Sequence, residues 1–132
     1  MIGLDTNVLV RYVAQDDAKQ SAKASELIES LTVSSPGFIT MVTVVELVWV
    51  LQSPRYESSK AEIIVVLEML LRTRELKLEN AETVWQALRK FTDSNAGFAD
   101  CLIERSAHAA GCDHTVTFDI KAAKTAGMQR LI

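Results

Sequence analysis

Phe38-Ile39-Thr40-Met41-Val42-Thr43-Val44-Val45-Glu46-Leu47-Val48-Trp49-Val50-Leu51 is the longest apolar stretch of the chain, and its reading decides the fold. Phe38-Ile39-Thr40 has β-strand character, and the segment from Thr43 through Leu51 reads as a buried helix. With Glu46, Thr40 and Thr43 inside it, the stretch falls short of the roughly 20 apolar residues a membrane span requires. A very short strand that feeds a longer helix is the unit from which α/β domains are built.

The same unit recurs on both sides. Ile2-Gly3-Leu4 is a short apolar run ending at Asp5, followed by helical character from Val8 to Val13. Asp16 or Asp17 can cap a second helix carrying Ala24, Leu27, Ile28 and Leu31 at helical spacing. Ser34-Ser35-Pro36-Gly37 is the clearest break. Downstream, Ser53-Pro54 ends the buried helix, and Ser58 or Ser59 starts another that runs through Leu71. Leu76-Lys77-Leu78 alternates as a strand, and Glu79 to Phe91 is amphipathic. A helix spans about Gly97 to Ala110, closed by Gly111 in the left-handed conformation. Thr115 to Phe118 is a strand stopped by Asp119, a short helix lies near Ala122, and Arg130 to Ile132 is a last strand. The pattern predicts one α/β domain over residues 1–132, with a mostly parallel sheet of about five short strands flanked by helices.

Composition narrows the function. The chain has 132 residues, 48% hydrophobic, with 17 acidic and 14 basic side chains and a formal net charge of -3. That balance argues against a protein that coats nucleic acid through a broad basic surface. Two cysteines, Cys101 and Cys112, sit at no zinc-ligand spacing and are expected as buried free thiols. The start carries no signal-peptide pattern, so a cytoplasmic protein is expected.

Four carboxylates stand in unusual places. Asp5 and Asp119 directly follow strands, and in a parallel sheet the carboxyl ends of strands lie on one edge, where ligands bind. Glu46 lies in an almost wholly apolar helix with few routes to water, and Asp100 lies near a helix start in Gly97-Phe98-Ala99-Asp100-Cys101. Acids gathered on such an edge repel one another, by about 4 kcal/mol for a pair at 4 Å and an effective dielectric near 20. A hard divalent cation with oxygen ligands relieves that repulsion. Structural readings stand beside this one: Thr43-Val44-Val45-Glu46 fits a capping box, Asp5 can cap a helix, and Asp100 can complement a helix dipole.

In order, Gly3-Leu4-Asp5-Thr6-Asn7-Val8-Leu9, Thr43-Val44-Val45-Glu46-Leu47, Gly97-Phe98-Ala99-Asp100-Cys101-Leu102-Ile103 and the run from Ala110-Gly111-Cys112 to Thr115-Val116-Thr117-Phe118-Asp119 resemble a PIN domain. More narrowly, they resemble a VapC-type toxin of a toxin–antitoxin pair, over essentially the whole chain. The resemblance implies a three-layer α/β fold and a Mg²⁺- or Mn²⁺-dependent ribonuclease. It makes Asp5, Glu46, Asp100 and Asp119 the catalytic, metal-holding quartet, with Thr6, Asn7 and Thr117 as polar support. It further implies an RNA substrate, a homodimer, and a small antitoxin that contacts operator DNA. The toxin chain itself would touch neither that DNA nor a membrane. Ile120-Lys121 stands where some relatives carry a further acid, so one or two ions per site stay open. The alternatives are a PIN nuclease of RNA processing without an antitoxin, and a non-catalytic interaction module. A receiver- or phosphatase-like phosphoacceptor wants an Asp-x-Asp pair, and position 7 is Asn.

Among other side chains, Arg11, Lys121 and Lys124 are candidates for RNA-phosphate contact. Asp100, Glu104 and His108 share a helical spacing, but the outer two lie roughly 12 Å apart, too far for one ion. Glu104 and His108 are therefore expected on a solvated face, and His114 at the surface. Trp49 and Trp85 are expected in the core. Ile63 to Leu71 is more apolar than one buried stripe requires, which predicts an exposed remainder for a partner.

Overall fold

The computed structural model describes Met1–Ile132, as two compact units, Met1–Glu79 and Asn80–Ile132. The first contains β1 (Ile2–Gly3), α1 (Thr6–Ala14), α2 (Ala18–Glu29), β2 (Gly37–Ile39), α3 (Met41–Leu51), α4 (Lys60–Arg72) and β3 (Leu76–Leu78). The second contains α5 (Ala81–Asp93), α6 (Phe98–Ala109), β4 (Val116–Thr117), α7 (Ile120–Thr125) and β5 (Gln129–Arg130). The fold is α/β, with seven helices and five short strands, and every strand pairing is parallel.

In the first unit the strands run in the order β1-β2-β3, in register Ile2 to Gly37 and Gly37 to Leu76. Parallel neighbours need crossover connections, and the helices between these strands supply them. Leu9, Ile39, Val44, Leu47, Ile63, Leu67 and Leu70 are fully buried and form this unit's core. Gly37 sits at a close approach, where a Cβ would lie 2.8 Å from a methyl of Leu4 and force the leucine side chain to shift. Asp17 caps α2 through Gln20 N, and Ser59 with Glu62 forms a full capping box on α4. The serine hydroxyl and the glutamate carboxylate there each accept a backbone N–H that would otherwise be orphaned.

The second unit packs α5 against α6. Phe91 and Phe98 meet edge to face with ring centroids 5.9 Å apart. Val84, Ala87, Leu88, Cys101 and Leu102 fill the space around them. β4 pairs with β5, Val116 opposite Gln129, as a separate two-stranded sheet. Gly111 follows α6 at φ +99°, the left-handed position expected of it.

Several expectations need correction. α3 begins at Met41, two residues early, because Thr40 caps it by accepting a hydrogen bond from Thr43 N at 3.1 Å. That removes the capping box at Thr43 to Glu46. Cys101 is buried as expected, whereas Cys112 is exposed in the turn after α6. Trp49 is 77% exposed rather than in the core. A helix apolar nearly all round cannot reveal from sequence which of its faces is buried. In α4 the buried stripe is Ile63, Leu67 and Leu70, and Val65, at 66%, is the exposed large side chain among its apolar residues. No helix is long and apolar enough to cross a membrane.

Candidate functional site

Asp5 lies two residues beyond β1 and caps α1. Its Oδ1 accepts a hydrogen bond from Thr6 N at 2.8 Å, so the structural reading of Asp5 as a cap is realised. The cap leaves the Asp5 side chain exposed and its second oxygen without a protein donor.

Thr6, itself buried, turns its hydroxyl to α3 and donates to Glu46 Oε1 at 2.8 Å. One residue therefore holds two acids, Asp5 through its amide and Glu46 through its side chain. Glu46 departs from expectation. It is exposed, not enclosed by its apolar neighbours, and it sits in the second turn of α3 rather than the first. Val44, Leu47, Val48 and Leu51 take the core side of that helix, and Glu46 takes the open side. No cation pairs with Asp5 or Glu46; their donors are a backbone amide and a hydroxyl. Asn7, next along α1, is exposed.

In the second unit Asp119 caps α7. Its Oδ1 accepts from Ala122 N at 2.9 Å, and its own N–H donates to Thr117 Oγ1 at 3.0 Å. Thr117 thus fixes the backbone from which Asp119 projects. Asp100 lies in the first turn of α6, half-buried, with no hydrogen bond or ion pair. The helix it begins follows α5 through a short turn rather than a strand, so its place does not come from a strand end.

The structure thus joins Asp5, Thr6 and Glu46 in one unit and Thr117 with Asp119 in the other. Neither unit alone gathers three His, Cys, Asp or Glu side chains within reach of one ion. By chemistry the donors suit a hard divalent cation. They are carboxylate oxygens, they lack competing cations, and Asp5, Glu46 and Asp119 each keep an oxygen free of protein partners.

Arg11 is not a free cation. It donates to Asp16 Oδ1 at 3.2 Å, Gln20 Oε1 at 2.7 Å and the Tyr56 hydroxyl at 3.2 Å. Asp16 also accepts from the Tyr56 hydroxyl at 2.7 Å and from Arg55 at 3.1 Å. The Tyr56 hydrogen bond above all, with Arg11 and Arg55, holds the Asp16 carboxyl below the ordinary carboxylate range. Lys121 and Lys124 are exposed on α7 just after Asp119.

Glu104 contradicts its expected place on a solvated face, because it is buried. Lys90 Nζ lies 2.8 Å from its Oε1, while Arg105 donates from Nε at 2.7 Å and from Nη2 to Oε2 at 2.9 Å. The Arg105 hydrogen bonds, then those of Lys90, hold its carboxyl down to about 2 against the cost of burial. His108 is exposed as expected.

Three features carry no sequence signal. Glu79, just past β3, accepts from Met41 N at 2.9 Å and so caps α3 from another element. Asp16 is the hub of a polar cluster. Lys19 and Lys23 line a cleft with residues of α1. Each depends on which helices meet, and nothing local in the chain announces it.

Exposed carboxylates at strand and helix ends, held by neutral donors, are the kind of site found in hydrolases that use a hard divalent ion. A model of the PIN domain family matches residues 2–128, and the chain belongs to that family, whose members are generally metal-dependent nucleases. No curated protein gives a match to the chain.

Proposed function

We propose that this PIN protein is a metal-dependent endoribonuclease and the VapC-type toxin of a type II toxin–antitoxin pair. In this reading Asp5, Glu46, Asp100 and Asp119 hold Mg²⁺ or Mn²⁺, and residues 1–132 form one PIN domain. The family match, which runs through both units, supports the single domain. The observation that carries the reading is the Asp5–Thr6–Glu46 arrangement. Two acids far apart in sequence are fixed by one buried threonine, yet both stay open to solvent and uncompensated by any cation.

Mg²⁺ or Mn²⁺ bound there supplies polarisation of a scissile phosphate and a water acidified toward neutrality. The chain's own residues do the rest. Thr6 fixes the orientation of Glu46, and its amide fixes Asp5. Thr117 fixes the turn that presents Asp119. Lys121 and Lys124 are free to meet phosphates, whereas Arg11 holds α1, α2 and the loop before α4 together. Val65 on α4 supports a contact with a second copy or a small antitoxin. Any operator DNA would be bound by that antitoxin, in the cytoplasm.

The test is RNA cleavage by the purified chain together with growth after induction. We expect cleavage with Mg²⁺ or Mn²⁺, none with EDTA or in Asp5→Asn, and growth arrest relieved by the product of an adjacent small reading frame. Equal cleavage by wild type and Asp5→Asn contradicts the assignment of the acids. Cleavage without growth arrest favours an RNA-processing nuclease instead.

A further inference from the structure

A cleft of about 710 Å³ lies between α1 and α2, wholly within the first unit. Lys19, Gln20 and Lys23 line it from α2, Asn7 and Arg11 from α1, and no carboxylate lines it. Lys19 has no ion-pair partner. Lys23 has only a loose one, Glu26 at 4.0 Å, with both side chains more than three-quarters exposed. Such a contact leaves most of the lysine's charge available. In a chain of net charge -3, a cleft lined by two largely uncompensated lysines and no acid, with Arg11 already paired to Asp16, is a local reversal of sign.

The cleft is also held in shape. Arg11 Nε donates to Gln20 Oε1 at 2.7 Å across it, and Asp16 and Tyr56 anchor the same guanidinium. Lys19 and Lys23 stand one helical turn apart on α2, a rise of about 6 Å. Val8 and Leu27 give it an apolar wall. Asn7, in the first turn of α1, opens it two residues from Asp5.

We propose that this cleft binds the sugar–phosphate backbone of single-stranded RNA, with Lys19 and Lys23 on successive phosphates and the apolar wall against ribose or base. The proposal rests on the nuclease reading and assigns that enzyme a substrate-binding site. Charge selects a polyanion, and the presence of Asn7 in the lining, two residues from the α1 cap Asp5, favours the nucleic acid over an acidic peptide. A strand seated in the cleft passes Asn7, which is two residues from Asp5 in the chain. Phosphates are repelled by carboxylates lacking a counter-ion and attracted by the lysines, so binding in the cleft needs no metal.

The experiment measures binding of a short fluorescein-labelled oligouridylate to the full chain in EDTA, across a salt series. The variants are Lys19→Gln/Lys23→Gln and, as rescue, Lys19→Arg/Lys23→Arg. Both positions are exposed, so an unchanged melting temperature is expected of each. The glutamine pair should weaken binding and flatten the dependence of log K on log salt by about 1.4, because each single-strand phosphate that a lysine neutralises adds about 0.7 to that slope. The arginine pair should restore both. Unchanged affinity and slope in the glutamine pair overturn the proposal. Lysine-dependent binding of polyglutamate without binding of the oligouridylate also overturns it, in favour of an acidic protein partner. The two readings fail separately. Lysine-dependent RNA binding with no cleavage in Mn²⁺ removes the nuclease reading and keeps the cleft. Cleavage by the glutamine pair at wild-type KM removes the cleft and keeps the nuclease.

Discussion

Glu46 and Glu104 are both helical glutamates, and the two units treat them in opposite ways. Glu46 sits in an apolar run, yet it is exposed and bonded only to the neutral hydroxyl of Thr6. Glu104 shares a helical face with Asp100 and His108 by spacing, yet it is buried and clasped by Lys90 and Arg105. A carboxylate already matched by two cations has no charge left to attract a metal ion. One held by a neutral donor keeps its charge and needs an outside cation to balance it. The difference separates a structural acid from an acid at a candidate metal site more clearly than hydropathy does.

Exchanging each carboxylate for its amide should therefore produce opposite phenotypes. Glu46→Gln should lower RNA cleavage by more than about 100-fold, beyond what loss of a group that merely supports a metal ligand costs. It should change stability by less than about 1 kcal/mol, because Glu46 is exposed and its one partner is neutral. Glu104→Gln should lower stability by about 3 kcal/mol, as expected when one member of a buried ion cluster is removed. Urea unfolding and cleavage assays on both variants check the pair. Similar losses of stability in the two would erase the distinction.

The Glu104 cluster also has a pH signature. Its folded carboxyl is held at about 2, against the ordinary 4.5. A depressed acid contributes stability that is fully present above the unfolded value and is lost as pH falls through the folded one. Wild type should lose stability between about pH 5 and pH 2 more steeply than Glu104→Gln, with the two curves converging at the acid end. Parallel curves would show that Glu104 gains nothing from its partners.

A smaller effect is expected one bond further out. Thr6→Val keeps the volume of a buried residue and the amide that holds Asp5, but removes the donor to Glu46. Cleavage should fall by roughly 10- to 100-fold, the usual cost of losing a group that orients a metal ligand. An unchanged rate would mean that Glu46 needs no orientation by Thr6. Smallest of all, Asp100→Asn should shift metal-free stability by less than about 1 kcal/mol. No partner is removed, and a first-turn acid gains only about 0.3–1 kcal/mol from the helix dipole. The same variant should abolish stabilisation by Mg²⁺, which thermal melting with and without the ion measures.

Much of the fold is legible in the chain because local chemistry carries it. Leu76-Lys77-Leu78 is a strand as its alternation predicts, and Asp17, Ser59 and Gly111 mark helix ends as such residues do. Asp5 and Asp119 stand just beyond strands because short apolar runs ending in Asp are local signals. Which face of an element is buried is not legible in the same way. An apolar neighbourhood suggests an interior for Glu46 and Trp49, and helical spacing with Asp100 and His108 suggests a surface for Glu104, yet the burial of all three is set by which elements pack together. Thr6 shows the same limit from the other side. Its type and position mark it as support, but that it reaches across 40 residues to Glu46 is visible only in the fold.

The most direct measurement is a Mn²⁺ titration followed by electron paramagnetic resonance on wild type, Glu46→Gln and Glu104→Gln. Wild type and Glu104→Gln should bind the ion alike, and Glu46→Gln should bind it at least about tenfold more weakly, the lower bound for disturbing a metal ligand. Equal binding by Glu46→Gln and wild type, or no binding by wild type, would contradict the account.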